Sequence, residues 1–251
     1  MKSAKKYLAL LLALLMAAAL SACGTKMPPE PNPPAPGEGE ATLAAPPIEE
    51  LYSEDFDYTD SVGNTGSFSC HVPKIAADTP GAADINRAIA ETFTPIMDNI
   101  AACVEEGYSM WIGGISWKSY RYEDILSLVI SSRWESDVEE YHVYLYDIAG
   151  QRQLTTPELL AQMGIEEGAF LSALRAAAAD FYDNQYGSGP NDFQGDAFWQ
   201  ERREWTLSDE NIHLNVSAYP DEAGRLYVPL PIGSVAGADS YVHLLQLDLL
   251  P

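Results

Sequence analysis

Apolar and polar positions alternate with several different periods along this chain, and each period predicts an element. An unbroken apolar run over 7–19 follows Lys2, Lys5 and Lys6. It is too short and too alanine-rich for a membrane span, and small residues follow it, which is the pattern of a secretory signal peptide over 1–22. Residues 23–47 carry eight prolines among Gly, Glu and Ala. Proline at that density favours extended chain, so this segment reads as a tether. Residues 50–58 and 66–75 read as strands about a Gly63-Asn64 turn. Thr79-Pro80 supplies a capping hydroxyl and a first-turn proline for a helix. There Ile85, Ile89, Phe93, Ile96, Ile100 and Val104 recur at steps of three and four, one apolar stripe with Pro95 expected to kink it.

Further on, Leu126, Leu128 and Ile130 alternate with Ser127, Val129 and Ser131, which predicts a strand with one face buried. Tyr141, Val143 and Leu145 alternate with His142, Tyr144 and Tyr146 and predict another. Residues 147–150 read as a turn. Thr156-Pro157-Glu158 predicts a short helix ending near Met163-Gly164. A second helix is expected over 166–186 with Phe170, Leu174 and Phe181 on one side. Residues 184–198 read as a glycine- and aspartate-rich loop, and 204–218 as a hairpin turning at Asp209-Glu210-Asn211. Strands over 225–230 and 241–249 close the chain. Helices and strands do not alternate regularly, so the fold class is α+β, a mainly antiparallel sheet packed against two to three helices.

Composition sharpens the address. Leu20-Ser21-Ala22-Cys23 resembles the bacterial lipobox, which implies cleavage before Cys23 and a diacylglycerol on its sulfur. The chain is then expected on the outer face of the cytoplasmic membrane, held there by lipid. The formal charge is −23, and removal of the three leader lysines takes it to −26. Such a balance argues against nucleic acid, whose phosphates need a basic surface. It suits a cationic partner, although acidic surfaces also keep exported proteins soluble. Cys70 and Cys103 remain as an even pair outside the cytoplasm, where a disulfide is possible. They are read as free thiols in preference to a bridge.

Catalytic signatures are missing from the sequence. There is no Gly-x-Ser-x-Gly, no phosphate loop, no Cys-x-x-Cys and no Gly-x-Gly-x-x-Gly after a strand. His71, His142, His213 and His243 lie far apart in predicted strands, so neither a metal nor a cofactor is expected. Carboxylates are so numerous that any two make a pair, which empties a glycosidase reading of content. Tyr186, Phe193, Phe198 and Trp199 ride the 184–198 loop among acidic neighbours. Aromatic rings on such a loop make a candidate contact surface for a glycan or a basic protein; the competing reading folds them back over the sheet.

His71-Val72-Pro73-Lys74-Ile75 followed by Ile85-Asn86-Arg87-Ala88-Ile89 resembles a signature of strand, proline and helix. Leu126-Ser127-Leu128-Val129-Ile130 with the 141–150 hairpin, Gln153-Leu154-Thr155, and Trp205-Thr206-Leu207-Ser208 extend the resemblance. Together they are similar to two adjoining bacterial envelope families of unknown function, DUF4163 over about 50–150 and DUF3298 over about 151–235. Such domains occur in lysozyme-sensing anti-sigma factors and as non-catalytic parts of peptidoglycan deacetylases. The stretch 215–224 is short against that family's longer proline- and tyrosine-containing loop. The resemblance implies a binding domain over 48–251 without catalysis of its own. Its expected partners are the membrane, through the lipid, and a cationic protein such as lysozyme or a cell-wall component. The alternatives are a peptidoglycan-acting enzyme or accessory, and a structural lipoprotein.

Overall fold

A computed structural model describes residues 43–59, 63–107, 112–134, 139–187, 197–236 and 238–249. Strands β1 (Ile48–Thr59) and β2 (Thr65–Ile75) pair antiparallel, with Gly63 at φ 89° where the chain reverses. Helix α1 (Pro80–Glu106) crosses to β3 (Ile112–Tyr122), which β4 (Ile125–Trp134), β5 (Glu139–Asp147) and β6 (Arg152–Leu154) follow as a meander. The sheet order is β1-β2-β3-β4-β5-β6, antiparallel except between β2 and β3. That one parallel join is where the chain inserts α1, because parallel neighbours need a long crossover. Cys70 pairs with Ile115 there, and Gly114 beside it sits at φ 122°. A Cβ at Gly114 would lie 2.7 Å from the Ser69 carbonyl oxygen, so glycine permits both the backbone angle and the close approach.

Three further helices follow: α2 (Thr156–Gln162), α3 (Glu167–Tyr186) and α4 (Ala197–Thr206). A second, three-stranded antiparallel sheet is built from β7 (Tyr219–Pro220), β8 (Leu226–Gly233) and β9 (Ser240–Leu247) in that order. The class is α+β, as the patterning indicates, with one helix more than expected among the described residues.

Local chemistry explains most boundaries. The Thr79 hydroxyl accepts the Ala82 N–H at 3.2 Å and caps α1, with Pro80 following it. Gly107 at φ 70° closes the helix, its N–H reaching back to the Val104 carbonyl at 3.2 Å. At α2 the cap is Thr155, one residue earlier than the sequence reading, and its N–H donates to Glu158 Oε2 at 2.8 Å.

Two apolar cores result. In one, Ile85, Ile89, Phe93 and Ile100 of α1 meet Phe68 and Val72 of β2, Leu128 and Ile130 of β4, and Tyr146 of β5. Each such side chain, fully buried, contributes about 1.5–3 kcal/mol. The stripe on α1 turns toward Met97 in place of Ile96, which is half-buried, because 93, 97 and 100 follow the helical repeat more closely. In the other core, Val129 and Leu145 from the same strands meet Phe170 and Leu174 of α3, Val228 and Leu230 of β8, and Leu245 of β9. Strand β4 is therefore covered on both faces, and Ser127 is as fully buried as Leu128. That corrects the expectation of a strand with one face in water.

The predicted hairpin over 204–218 does not form. Residues 204–206 finish α4, and turns follow to 216. The cause is competition for backbone groups. Thr206 Oγ1 donates to the Arg202 carbonyl at 2.8 Å and accepts the Gly233 N–H at 2.9 Å. Asn211 Nδ2 donates to the carbonyls of Thr206 and Pro231, both at 2.9 Å. Side chains that bond the main chain in this way replace a strand ladder with a turn. His213 consequently lies in a turn.

Candidate functional site

Cys23 and Phe193 lie outside the described residues. The other aromatic residues of the expected loop are largely folded inward, on helices. Helix α3 runs to Tyr186 and α4 begins at Ala197, so Phe198 and Trp199 are helical. Trp199 is only 8% exposed and meets Tyr182 edge-on at 5.3 Å between ring centroids. The Tyr182 hydroxyl donates to the Trp199 carbonyl at 2.9 Å. Burial pushes that phenol up to about 12. Tyr186 lies against Tyr182 at 5.0 Å. Arg203 binds Asp183 through two hydrogen bonds of 2.7 and 2.8 Å, pinning α4 to α3 and holding the Asp183 carboxyl below its usual range. Phe198 is exposed, with the Arg202 guanidinium 4.8 Å above its ring. Trp199 is thus a packing residue, Tyr186 is half-buried against Tyr182, and Phe198 is the exposed one of the three.

The histidines do not converge. Burial lowers His142, packed edge-on against Phe93 at 5.0 Å, and His243, 4.4 Å from Phe181. His213 Nδ1 accepts the Asn215 N–H at 3.1 Å. Among the described residues no three of His, Cys, Asp and Glu gather as a metal site. His71 has neighbours that invite a catalytic comparison: Ser53 Oγ at 3.3 Å and Glu50 Oε1 at 3.7 Å. Both approach the same nitrogen, Nδ1. A nucleophile–base–acid relay needs its two partners on opposite imidazole nitrogens, so this trio lacks that geometry. Glu50 also accepts the Trp117 indole N–H at 3.1 Å.

What the structure does assemble is a row of tyrosines across the two sheets. Tyr120 of β3 stacks on Tyr219 of β7 at 5.6 Å and 19°, and Tyr219 stacks on Tyr227 of β8 at 5.5 Å and 21°. Tyr219 is buried; Tyr120 and Tyr227 are half-buried. Desolvation raises Tyr120, with the Glu222 carboxylate adding to it, and raises Tyr219 further still, with Tyr120 and Tyr141 nearby. Asp221 is buried yet held below its ordinary value: burial works against ionisation, and the Arg225 guanidinium with the N–H groups of Arg225 and Ala223 outweighs it. Glu222 is exposed and makes no hydrogen bond or ion pair among the described residues. The alternation of Tyr120 and Tyr122 along the chain is a local signal that could have marked one member. Nothing in the sequence places Tyr219 and Tyr227 against it.

Two open depressions are found elsewhere among the described residues. One of about 450 Å³ runs between α3 and β9, lined by Ala173, Ala177, Asp180, Phe181, Leu244 and Gln246. The other, about 280 Å³, lies beside the start of α2, with Gln153, Thr155 and Asn215 on its walls.

No family model matches the chain, and no curated protein matches it. Among solved structures it is similar to a DUF3298 family protein from Pseudomonas aeruginosa PAO1, at 15% identity and a TM-score of 0.36, over 59% of this chain and 77% of that one. It is also similar to a member of the DUF3298 family from Bacteroides fragilis NCTC 9343, at 10% identity and a TM-score of 0.41, over 82% and 91% of the two chains. No described helix is long and apolar enough to cross a membrane.

Proposed function

We propose that this protein is a lipid-anchored, extracytoplasmic binding domain without catalysis of its own, and that its partner is a cationic protein such as lysozyme or a basic component of the cell wall. The observation that carries the reading is the pairing of Leu20-Ser21-Ala22-Cys23 with a chain that holds 37 acidic residues against 14 basic ones. The first directs the domain outward and tethers it. The second surrounds it with a field that draws cations and repels polyanions. The sequence resemblance to envelope binding domains points the same way. Two experiments test it. Mass spectrometry of membrane fractions should find a mature chain beginning at a diacylglyceryl Cys23, and Cys23→Ser should leave the protein unanchored. Full-length protein in detergent should bind hen lysozyme at about 0.15 M salt, where the Debye length is about 8 Å, and bind it less at higher salt through a slower association rate. Binding that disappears already at about 0.15 M would mean simple ion exchange and would favour a structural lipoprotein instead.

A further inference from the structure

We propose that the Tyr120–Tyr219–Tyr227 stack, with Glu222 beside it, is a docking site for an arginine side chain of the basic partner. The inference rests on the cation-binding reading above and locates it.

The geometry supplies the stacking half of a guanidinium site, and the chain places an exposed carboxylate, Glu222, three residues beyond Tyr219. Three phenol rings lie nearly parallel at 5.5–5.6 Å, and the outer two, Tyr120 and Tyr227, are half-exposed. A guanidinium is planar and weakly hydrated, so it stacks on such a ring face; an ammonium keeps its water and gains less. Among the described residues, Asp221, Glu222 and Arg225 are the charged groups that act on the stack, and Glu139 lies one step away on Tyr141. Arg225 is committed to Asp221, Nη2 to Oδ2 at 2.6 Å and Nε to Oδ2 at 2.8 Å. Glu139 accepts the Tyr141 hydroxyl. Glu222 is left as the exposed carboxylate whose field reaches Tyr120. The outer hydroxyl is also engaged, since Tyr227 donates to Gln246 Oε1 at 3.2 Å, which fixes the ring. The described residues already show the interaction twice, in Arg202 over Phe198 at 4.8 Å and Arg203 over Trp199 at 5.9 Å. Arg225 stands near the row and feels Tyr227 and Glu222 as well as Asp221, but its guanidinium is hydrogen-bonded to Asp221, so the docking arginine is one from another molecule.

Isothermal titration of the full-length protein in detergent, at about 0.15 M salt, with tetra-arginine and tetra-lysine peptides tests the assignment. Tetra-arginine is expected to bind about two- to fivefold more tightly than tetra-lysine. Tyr227→Leu, which keeps the apolar bulk and removes the ring, should abolish that preference, and Tyr227→Phe should retain it. Glu222→Gln should weaken both peptides alike. Equal affinities for the two peptides in the unaltered protein, or a preference unchanged by Tyr227→Leu, would overturn the stacking site and leave the cation-binding reading standing. If neither peptide binds, the cation-binding reading fails and the site falls with it.

Discussion

The Ser127 hydroxyl donates to the carbonyl of Pro220 at 3.1 Å, across 93 positions of sequence and out of reach of water. Ser127 belongs to β4 at the middle of the large sheet, and Pro220 to β7 of the small one. This bond satisfies a polar group inside the interface between the sheets, next to the point where Tyr219 stacks on Tyr120. It holds the small sheet at one height over β4.

Ser127→Ala should destabilise the protein by about 1–2 kcal/mol, since the variant loses the bond and leaves the Pro220 acceptor in a dry site. Ser131→Ala, on the same strand face with an exposed hydroxyl 3.1 Å from that of Ser116, should change stability by less than about 0.5 kcal/mol. Urea denaturation of both variants checks the contrast. Equal effects would show that Ser127 is not dry.

Phe93 is fully buried between α1 and the sheet. Phe93→Ala should cost about 3–5 kcal/mol, from lost transfer energy and the cavity left behind. Ile96→Ala, at a half-buried position on the same helix, should cost distinctly less. Denaturation midpoints that rank the two in the opposite order would mean that the apolar stripe faces elsewhere.

Alkaline titration should weaken the fold between about pH 10 and 12. Tyr182, Tyr219 and Tyr141 are all raised by burial above the unfolded phenol value of 10.0, Tyr182 to about 12. Unfolded phenols thus release their protons first. The stability that comes from the raised values is complete below the unfolded value and is lost as pH climbs through the folded ones. Tyr182→Phe should cost about 1 kcal/mol at neutral pH through its bond to the Trp199 carbonyl, and the deficit should narrow above about pH 10. Denaturation measured at a series of pH values reads both effects.

Cys70 and Cys103 are both free thiols. Cys70 is fully buried and its thiol is pushed up to about 11, chiefly by desolvation. Cys103 is half-buried near the end of α1. Since the thiolate is the reactive form, brief iodoacetamide treatment of the folded protein at about pH 8 should label Cys103 well ahead of Cys70. Peptide mass spectrometry gives the ratio, and protection of both by a bond between them would contradict the structure.

Taken by itself, the sequence determined whatever depends on near neighbours. The capped start at Thr79 and Pro80, the apolar stripe through Ile85, Ile89, Phe93 and Ile100, and the alternation along β4 and β5 are local patterns with local causes. Composition determined the charge, and Leu20-Ser21-Ala22-Cys23 carries the expected address. Tertiary structure decided which alternating faces are dry. Ser127 reads as a solvent-facing residue until a second sheet covers it, and that cover comes from a segment 93 positions away. Trp199, expected on a surface loop, is likewise buried by a contact outside its own segment, against Tyr182 of α3. The hairpin over 204–218 failed because Thr206 and Asn211 find backbone partners on β8, which no local pattern encodes. The candidate site belongs to this second group. Tyr120, Tyr219 and Tyr227 come from three strands in two sheets, and a stack of rings exists only once long-range packing has set those strands about 5.5 Å apart at the ring centres.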